Sequence, residues 1–93
     1  MMLHAGTYRA MTRSLMNASA SLCDGRLVFA REGGYSPTHV PYCGLAFIEE
    51  LSGVSTGVAD PWQADMERWG GQELQPHQAQ AIEICRQLIP PLR

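Results

Sequence analysis

The chain has no lysine, and its seven basic residues are all arginines, scattered from Arg9 to Arg93. They form no basic patch or stripe, and the formal net charge is -2. Proteins that bind nucleic acid neutralise phosphates with clustered basic side chains, so this composition argues against a nucleic-acid partner. Uninterrupted apolar runs reach only about four residues, whereas a transmembrane helix needs about 20. We therefore expect neither a nucleic-acid nor a membrane partner.

Cysteine is also sparse. Cys23, Cys43 and Cys85 are odd in number and far apart in the sequence, which argues against a disulfide framework and for reduced thiols. The first residues contain no basic stretch followed by an apolar run, so no signal peptide is predicted. These two observations favour a cytoplasmic location.

Charged residues make up only 17% of the 93 residues, against about a quarter in typical soluble domains. A chain of this length forms one small unit with a core near the lower limit for stability. Small units expose proportionally more surface and should carry more charge than average. The low charge therefore indicates a surface covered by self-association with another subunit or by a missing part of the same domain.

Local patterns alternate between helix and strand along the chain. After Thr7, apolar residues recur at steps of three and four, which is typical of one face of a helix. Residues 26–30 are predicted to form a strand that is apolar on both faces, like a strand of a parallel sheet covered by helices. Such a strand would need partners that this chain does not contain. The pattern predicts an α/β fold of one to two strands and three helices: a helix over about 7–23, a strand over about 26–30, a glycine turn over 32–35, a helix over about 36–52, a loop over 54–74 and a helix over about 76–89.

The motif Glu32-Gly33-Gly34-Tyr35-Ser36 follows the predicted strand directly. Two glycines allow a sharp turn and close approach of a ligand, and the Tyr35 hydroxyl can donate a hydrogen bond to an oxygen that gains charge. The competing interpretation is an ordinary strand-to-helix turn whose tyrosine packs. The motif alone does not decide between the two, and by itself it favours the ordinary turn.

Neighbouring motifs add a family resemblance that covers nearly the whole chain. The sequence resembles the C-terminal part of bacterial class II histone deacetylase-like amidohydrolases, in the arginase/deacetylase superfamily. The matching stretches are Tyr8-Arg9-Ala10-Met11-Thr12, Gly25-Arg26-Leu27-Val28, the Glu-Gly-Gly-Tyr-Ser motif, Val40-Pro41-Tyr42-Cys43-Gly44-Leu45-Ala46, Ile48-Glu49-Glu50-Leu51-Ser52-Gly53, and Thr56, Asp60 and Pro61.

The resemblance implies a zinc-dependent hydrolase acting on acetyl-lysine-like or acylated amine substrates. It implies that Tyr35 stabilises the oxyanion and that Gly33 and Gly34 help to form the acyl channel. The zinc ligands and catalytic histidines of the family lie upstream of the matching segment, and Arg31 stands where relatives often carry histidine. Residues 1–93 are then a single segment of a deacetylase-like domain, and we expect the isolated chain to be inactive and to bind no zinc.

The remaining candidates are weaker. The three histidines have no metal-ligand spacing, and Cys43 on an apolar helix is read as a buried thiol. Glu49 and Glu50, adjacent on a helix, are read as a solvated face, and Glu32 as a brace for backbone amides. Two alternatives to the enzyme segment stay open: a truncated, inactive remnant that serves as a binding or structural module, and a fragment that complements a separately encoded N-terminal part.

Overall fold

The computed structural model describes residues 3–91, and in this range the regular structure is entirely helical. The helices are α1 (Ala5–Cys23), α2 (Val40–Ser52), α3 (Gln63–Arg68) and α4 (Pro76–Gln87). None of these helices has the length and apolar character needed to cross a membrane.

The predicted α/β fold is wrong, because no strand forms anywhere in residues 3–91. The segment 26–30 is irregular instead, and Val28 is 92% exposed. A strand exists only through hydrogen bonds to a neighbouring strand, and no second extended segment lies beside this one. Phe29 packs on Phe47 of α2, with ring centroids 5.9 Å apart. Phe29 therefore faces α2, while Val28 faces solvent.

Both ends of α1 are fixed by specific contacts. Its N-terminal residue Ala5 donates its amide to the Asp60 carboxylate at 3.0 Å, and the His4 ring accepts the amide of Gly6 at 3.1 Å. The helix ends where Asp24 and Gly25 both take left-handed backbone angles, with φ of 55° and 73°. Asp24 is the C-cap, and its amide donates to the Ser19 carbonyl; Gly25 continues the left-handed path without the steric penalty that other residues meet.

Helix α2 begins at Val40, four residues later than the sequence pattern indicates, because residues 37–39 form a turn. Pro41 therefore lies in the first helical turn, where its missing amide is not needed, and it does not kink the helix. Gly53 ends α2 with φ 71° and donates its amide to the Glu49 carbonyl at 2.9 Å.

The region predicted as a loop over 54–74 contains the short helix α3. The last helix ends at Gln87, two residues before the predicted boundary, and its start is braced by the Gln75 amide, which donates to the Gln78 side chain at 2.8 Å.

Packing in residues 3–91 is thin. Helices α1 and α2 form the main contact, and the buried apolar residues are Ala5, Ala46 and Met66. Helix α4 contributes no buried residue. The radius of gyration is 15.8 Å, while a compact chain of this length has about 12 Å. The described residues therefore leave much of their apolar surface in contact with solvent.

Candidate functional site

The Gly-Gly-Tyr turn projects its tyrosine into solvent. Gly33 and Gly34 have φ of 68° and 74°, a region that other residues enter only with strain. Tyr35 follows with 92% of its surface exposed. Arg31 reaches over the turn, and its Nη2 donates to the Gly34 carbonyl at 2.9 Å. The turn therefore presents a free phenol on a bend that only glycine forms readily.

The two glycines have different surroundings. A side chain at Gly34 would meet Cγ2 of Val40 at 3.3 Å, so this residue allows the turn to lie close against α2. A side chain at Gly33 would meet no atom within 4 Å. Gly34 is thus needed both for its left-handed backbone angles and for the close approach to Val40, whereas Gly33 is needed for its backbone angles. Whether either residue contacts a substrate stays a prediction.

Two apolar concavities flank the turn. An open groove next to Tyr35 is lined by Arg31, Pro37, Val40, Pro41 and Ile48. A cavity of about 330 Å³ lies behind the turn, between it and the α1–α2 pair. The apolar lining of both suits a hydrocarbon chain better than a charged group.

Glu49 is not on a solvated face, contrary to the sequence interpretation. It is 6% exposed, and its carboxylate accepts hydrogen bonds from Arg9 of α1 at 2.8 Å and from the Thr56 amide at 2.6 Å and hydroxyl at 2.5 Å. These donors, chiefly the Thr56 hydroxyl, then its amide, then Arg9, lower the pKa of Glu49 from 4.5 to about 2, against the opposing effect of burial. Glu49 therefore joins α1, α2 and the following loop. Its position three residues after the buried Ala46, on the same helix face, was the signal for this role.

Glu50 forms a second link between the helices. It accepts two hydrogen bonds from Arg13 of α1, at 2.7 Å and 3.0 Å, in a bidentate ion pair. The hydrogen bonds from Arg13 lower the pKa of Glu50, and the same contact raises the pKa of Arg13. The adjacent glutamates thus hold α1 and α2 together rather than acting as an acid and base.

Asp60 caps two helices at once. One carboxylate oxygen accepts the Ala5 amide of α1 at 3.0 Å, and the other accepts the Trp62 amide before α3 at 2.9 Å. The Trp62 indole donates to the Thr38 carbonyl at 3.1 Å and lies 5.6 Å from the His39 ring. Trp62 therefore fixes the turn before α2, whereas Trp69 is 52% exposed.

The thiol of Cys43 is half-buried, and burial together with the negative charge of Asp60 raises its pKa. A raised pKa reduces the thiolate fraction, which is the nucleophilic form. This environment fits an inert thiol and not a catalytic one. Glu32 is exposed, and among residues 3–91 no amide donates a hydrogen bond to its carboxylate, so the predicted bracing role has no support in this arrangement.

The described residues do not fit a zinc site. Within residues 3–91, no three histidine, cysteine or acidic side chains lie close enough together to hold a metal ion. His4 Nδ1 accepts the Gly6 amide at the start of α1, and the His39 ring packs beside Trp62, so each has a structural contact in this arrangement.

The chain matches no family model. It does match the histone deacetylase-like amidohydrolase of Pseudomonas aeruginosa, with 54% identity over 61 residues, which is 66% of this chain and 16% of the relative. The chain is a homologue of this amidohydrolase. The resemblance to histone deacetylase-like amidohydrolases that the sequence motifs indicate is therefore confirmed over these 61 residues.

The homologous stretch is a small part of the amidohydrolase. Because the chain spans only 16% of its relative's length, most of the amidohydrolase lies outside the matched stretch. The location of the segment at the C-terminal end of a deacetylase domain, like the domain assignment of residues 1–93, stays a prediction.

Proposed function

We propose that this chain is part of a zinc-dependent amidohydrolase that cleaves acetyl-lysine-like or acylated amine amides, and that Tyr35 donates a hydrogen bond to the developing oxyanion. The observation that carries the proposal is a solvent-exposed tyrosine on a two-glycine, left-handed turn in a chain homologous to a histone deacetylase-like amidohydrolase. Oxyanion stabilisation requires a hydroxyl that is positioned before the reaction, and the hydrogen bond from Arg31 to the Gly34 carbonyl restrains the bend that carries Tyr35.

The zinc ligands of this enzyme would come from outside residues 3–91, since these residues offer no metal-binding cluster. The thin core and the expanded radius support the same view, because a covering partner would bury the exposed apolar side chains. The proposed partner is the remaining part of an amidohydrolase domain. Self-association is the alternative way to cover this surface.

The test is a chimera of the Pseudomonas aeruginosa amidohydrolase in which the corresponding stretch is replaced by this chain. Turnover and KM for an acetyl-lysine peptide are compared between the chimera and its Tyr35→Phe variant. Losing one oxyanion donor costs about 10²–10³-fold in turnover. The KM should change much less, because the hydrogen bond strengthens mainly in the transition state.

Tyr42→Phe is the matched control. Tyr42 lies on α2 beside Ala5, Arg9 and Asp60, in a different cavity from Tyr35, so its hydroxyl should not affect turnover by this mechanism. Zinc content and thermal stability are measured for each variant. A chimera that folds and holds zinc but has no turnover with Tyr35 present would support the alternative of an inactive remnant. Equal turnover in the chimera and its Tyr35→Phe variant would contradict the catalytic role proposed for Tyr35.

A further inference from the structure

We infer that Arg31 is a positioning residue for Tyr35: its guanidinium ties the Gly34 carbonyl and thereby sets the direction in which the phenol leaves the turn. This inference rests on the function proposed for Tyr35. Arg31 Nη2 lies 2.9 Å from the Gly34 carbonyl oxygen, and the bond closes a ring across the Gly33-Gly34 bend.

The turn has little else to hold it. Within residues 27–35, all of which the structure describes, the Arg31–Gly34 bond is the single hydrogen bond. The next backbone hydrogen bond along the chain is donated by the Val40 amide to the Ser36 carbonyl. Two consecutive glycines are the most flexible backbone available, because each populates many conformations in the absence of a restraint. A bond from a charged donor is stronger and shorter than one from a neutral donor. The guanidinium is therefore the main polar restraint on this bend.

Tyr35 depends on that restraint because its ring is not held by packing. With 92% of its surface exposed, the phenol takes its position from the backbone that carries it. A displacement of about 1 Å at a reacting group can cost up to about 10²-fold in rate. Loosening the Gly34 carbonyl should thus lower turnover even though Arg31 itself touches no reacting atom.

A direct substrate contact is the competing role for Arg31, since the residue also borders the open groove next to Tyr35. The two roles differ kinetically. A residue that binds substrate changes KM whatever stands at position 35. A residue that acts through the Tyr35 hydroxyl loses its effect when that hydroxyl is absent.

The experiment is a double-mutant cycle in the chimera, using Arg31→Ala, Tyr35→Phe and the double variant. We expect Arg31→Ala to lower turnover about 10-fold with little change in KM, and the double variant to match Tyr35→Phe alone. Arg31→Lys, which keeps a charged donor, should restore part of the loss. Arg26→Ala removes the same charge five residues earlier, at an exposed arginine bonded to the Cys23 carbonyl, and should leave turnover unchanged.

A second readout needs no catalysis. In the full 93-residue chain, ¹⁵N relaxation should show lower order for the Gly33, Gly34 and Tyr35 amides in Arg31→Ala than in the parent, and not in Arg26→Ala. Equal order and equal turnover in Arg31→Ala would overturn the inference, as would losses that simply add in the double variant. If Tyr35→Phe alone is silent, the proposed function fails instead, and the cycle separates the two failures.

Discussion

Protonation of Glu49 should report directly on the contact between α1, α2 and the loop after α2. The carboxylate has a pKa of about 2 in the folded chain and an ordinary value of 4.5 when its partners are lost. At about pH 3, Glu49 should be about 90% ionised in the folded chain, against about 3% ionised in the unfolded chain.

The sign of the pH effect follows from this lowered pKa. The carboxylate is easier to ionise in the folded state, so its contribution to stability is fully present above pH 4.5 and is lost as the pH falls through about 2. Unfolding near pH 3.3 should take up about 0.9 proton at this one residue, which is the difference between the two titration curves at that pH. Stability should therefore decline with falling pH over this window, and Glu49→Gln should remove this part of the decline.

The assay is a ¹³C NMR titration of the chain labelled at glutamate, followed by the same titration of Thr56→Val. The Thr56 hydroxyl is the largest cause of the lowered pKa, so its removal should move the Glu49 midpoint upward. Ser55→Ala, at the neighbouring exposed serine, is the matched control and should leave the midpoint in place. Glu50 is an internal control in the same spectra: its pKa is lowered by Arg13 and not by Thr56, so Thr56→Val should leave its midpoint in place. A Glu49 midpoint near 4.5 in the helical chain, or no response to Thr56→Val, would refute the arrangement described around Glu49.

Four further outcomes are expected. The isolated chain should retain no stoichiometric zinc after dialysis, and one zinc per chain by elemental analysis would contradict this. The isolated chain should self-associate or unfold with low cooperativity because its core is thin, and a strictly monomeric, highly cooperative thermal transition would oppose that expectation. Cys43 should react with iodoacetamide more slowly than exposed Cys85 at pH 8, because its pKa is raised; equal rates would argue against its burial. Ala46→Leu should overpack the α1–α2 contact, where Ala46 is 1% exposed, and cost about 1–3 kcal/mol by urea unfolding of the chimera; an unchanged unfolding midpoint would argue against tight packing at Ala46.

Helices could be predicted from the sequence because their signals are local. The three-and-four spacing after Thr7 indicates α1, and glycines at 25 and 53 mark two helix ends. The strand at 26–30 failed for the opposite reason, since a strand depends on a neighbour and an apolar run cannot supply one. In this run Phe29 packs on Phe47, while Val28 is exposed.

The site was predictable where it depends on backbone chemistry. Two glycines before Tyr35 indicated a sharp bend, and the structure gives both of them left-handed angles. The contacts of Glu49 and Asp60 were not predictable in the same way, because their partners Arg9 and Ala5 lie 40 and 55 residues away. Long-range pairing of this kind leaves no local pattern beyond the helix face on which Glu49 falls.

The loop between α2 and α3 is anchored at both ends to parts of the chain that precede it. Thr56 is bonded to Glu49 near its start, and Asp60 is bonded to Ala5 near its end. Most surface loops accept inserted residues at small cost because their ends alone are fixed. Here an insertion between Thr56 and Asp60 would displace one anchor relative to the other and uncap α1, whereas the bond from the Trp62 amide to Asp60 lies beyond the insertion and would move with it. Residues 57–59 are therefore a poor place for a tag or a fused domain, and the exposed segment after Arg68 is a better one.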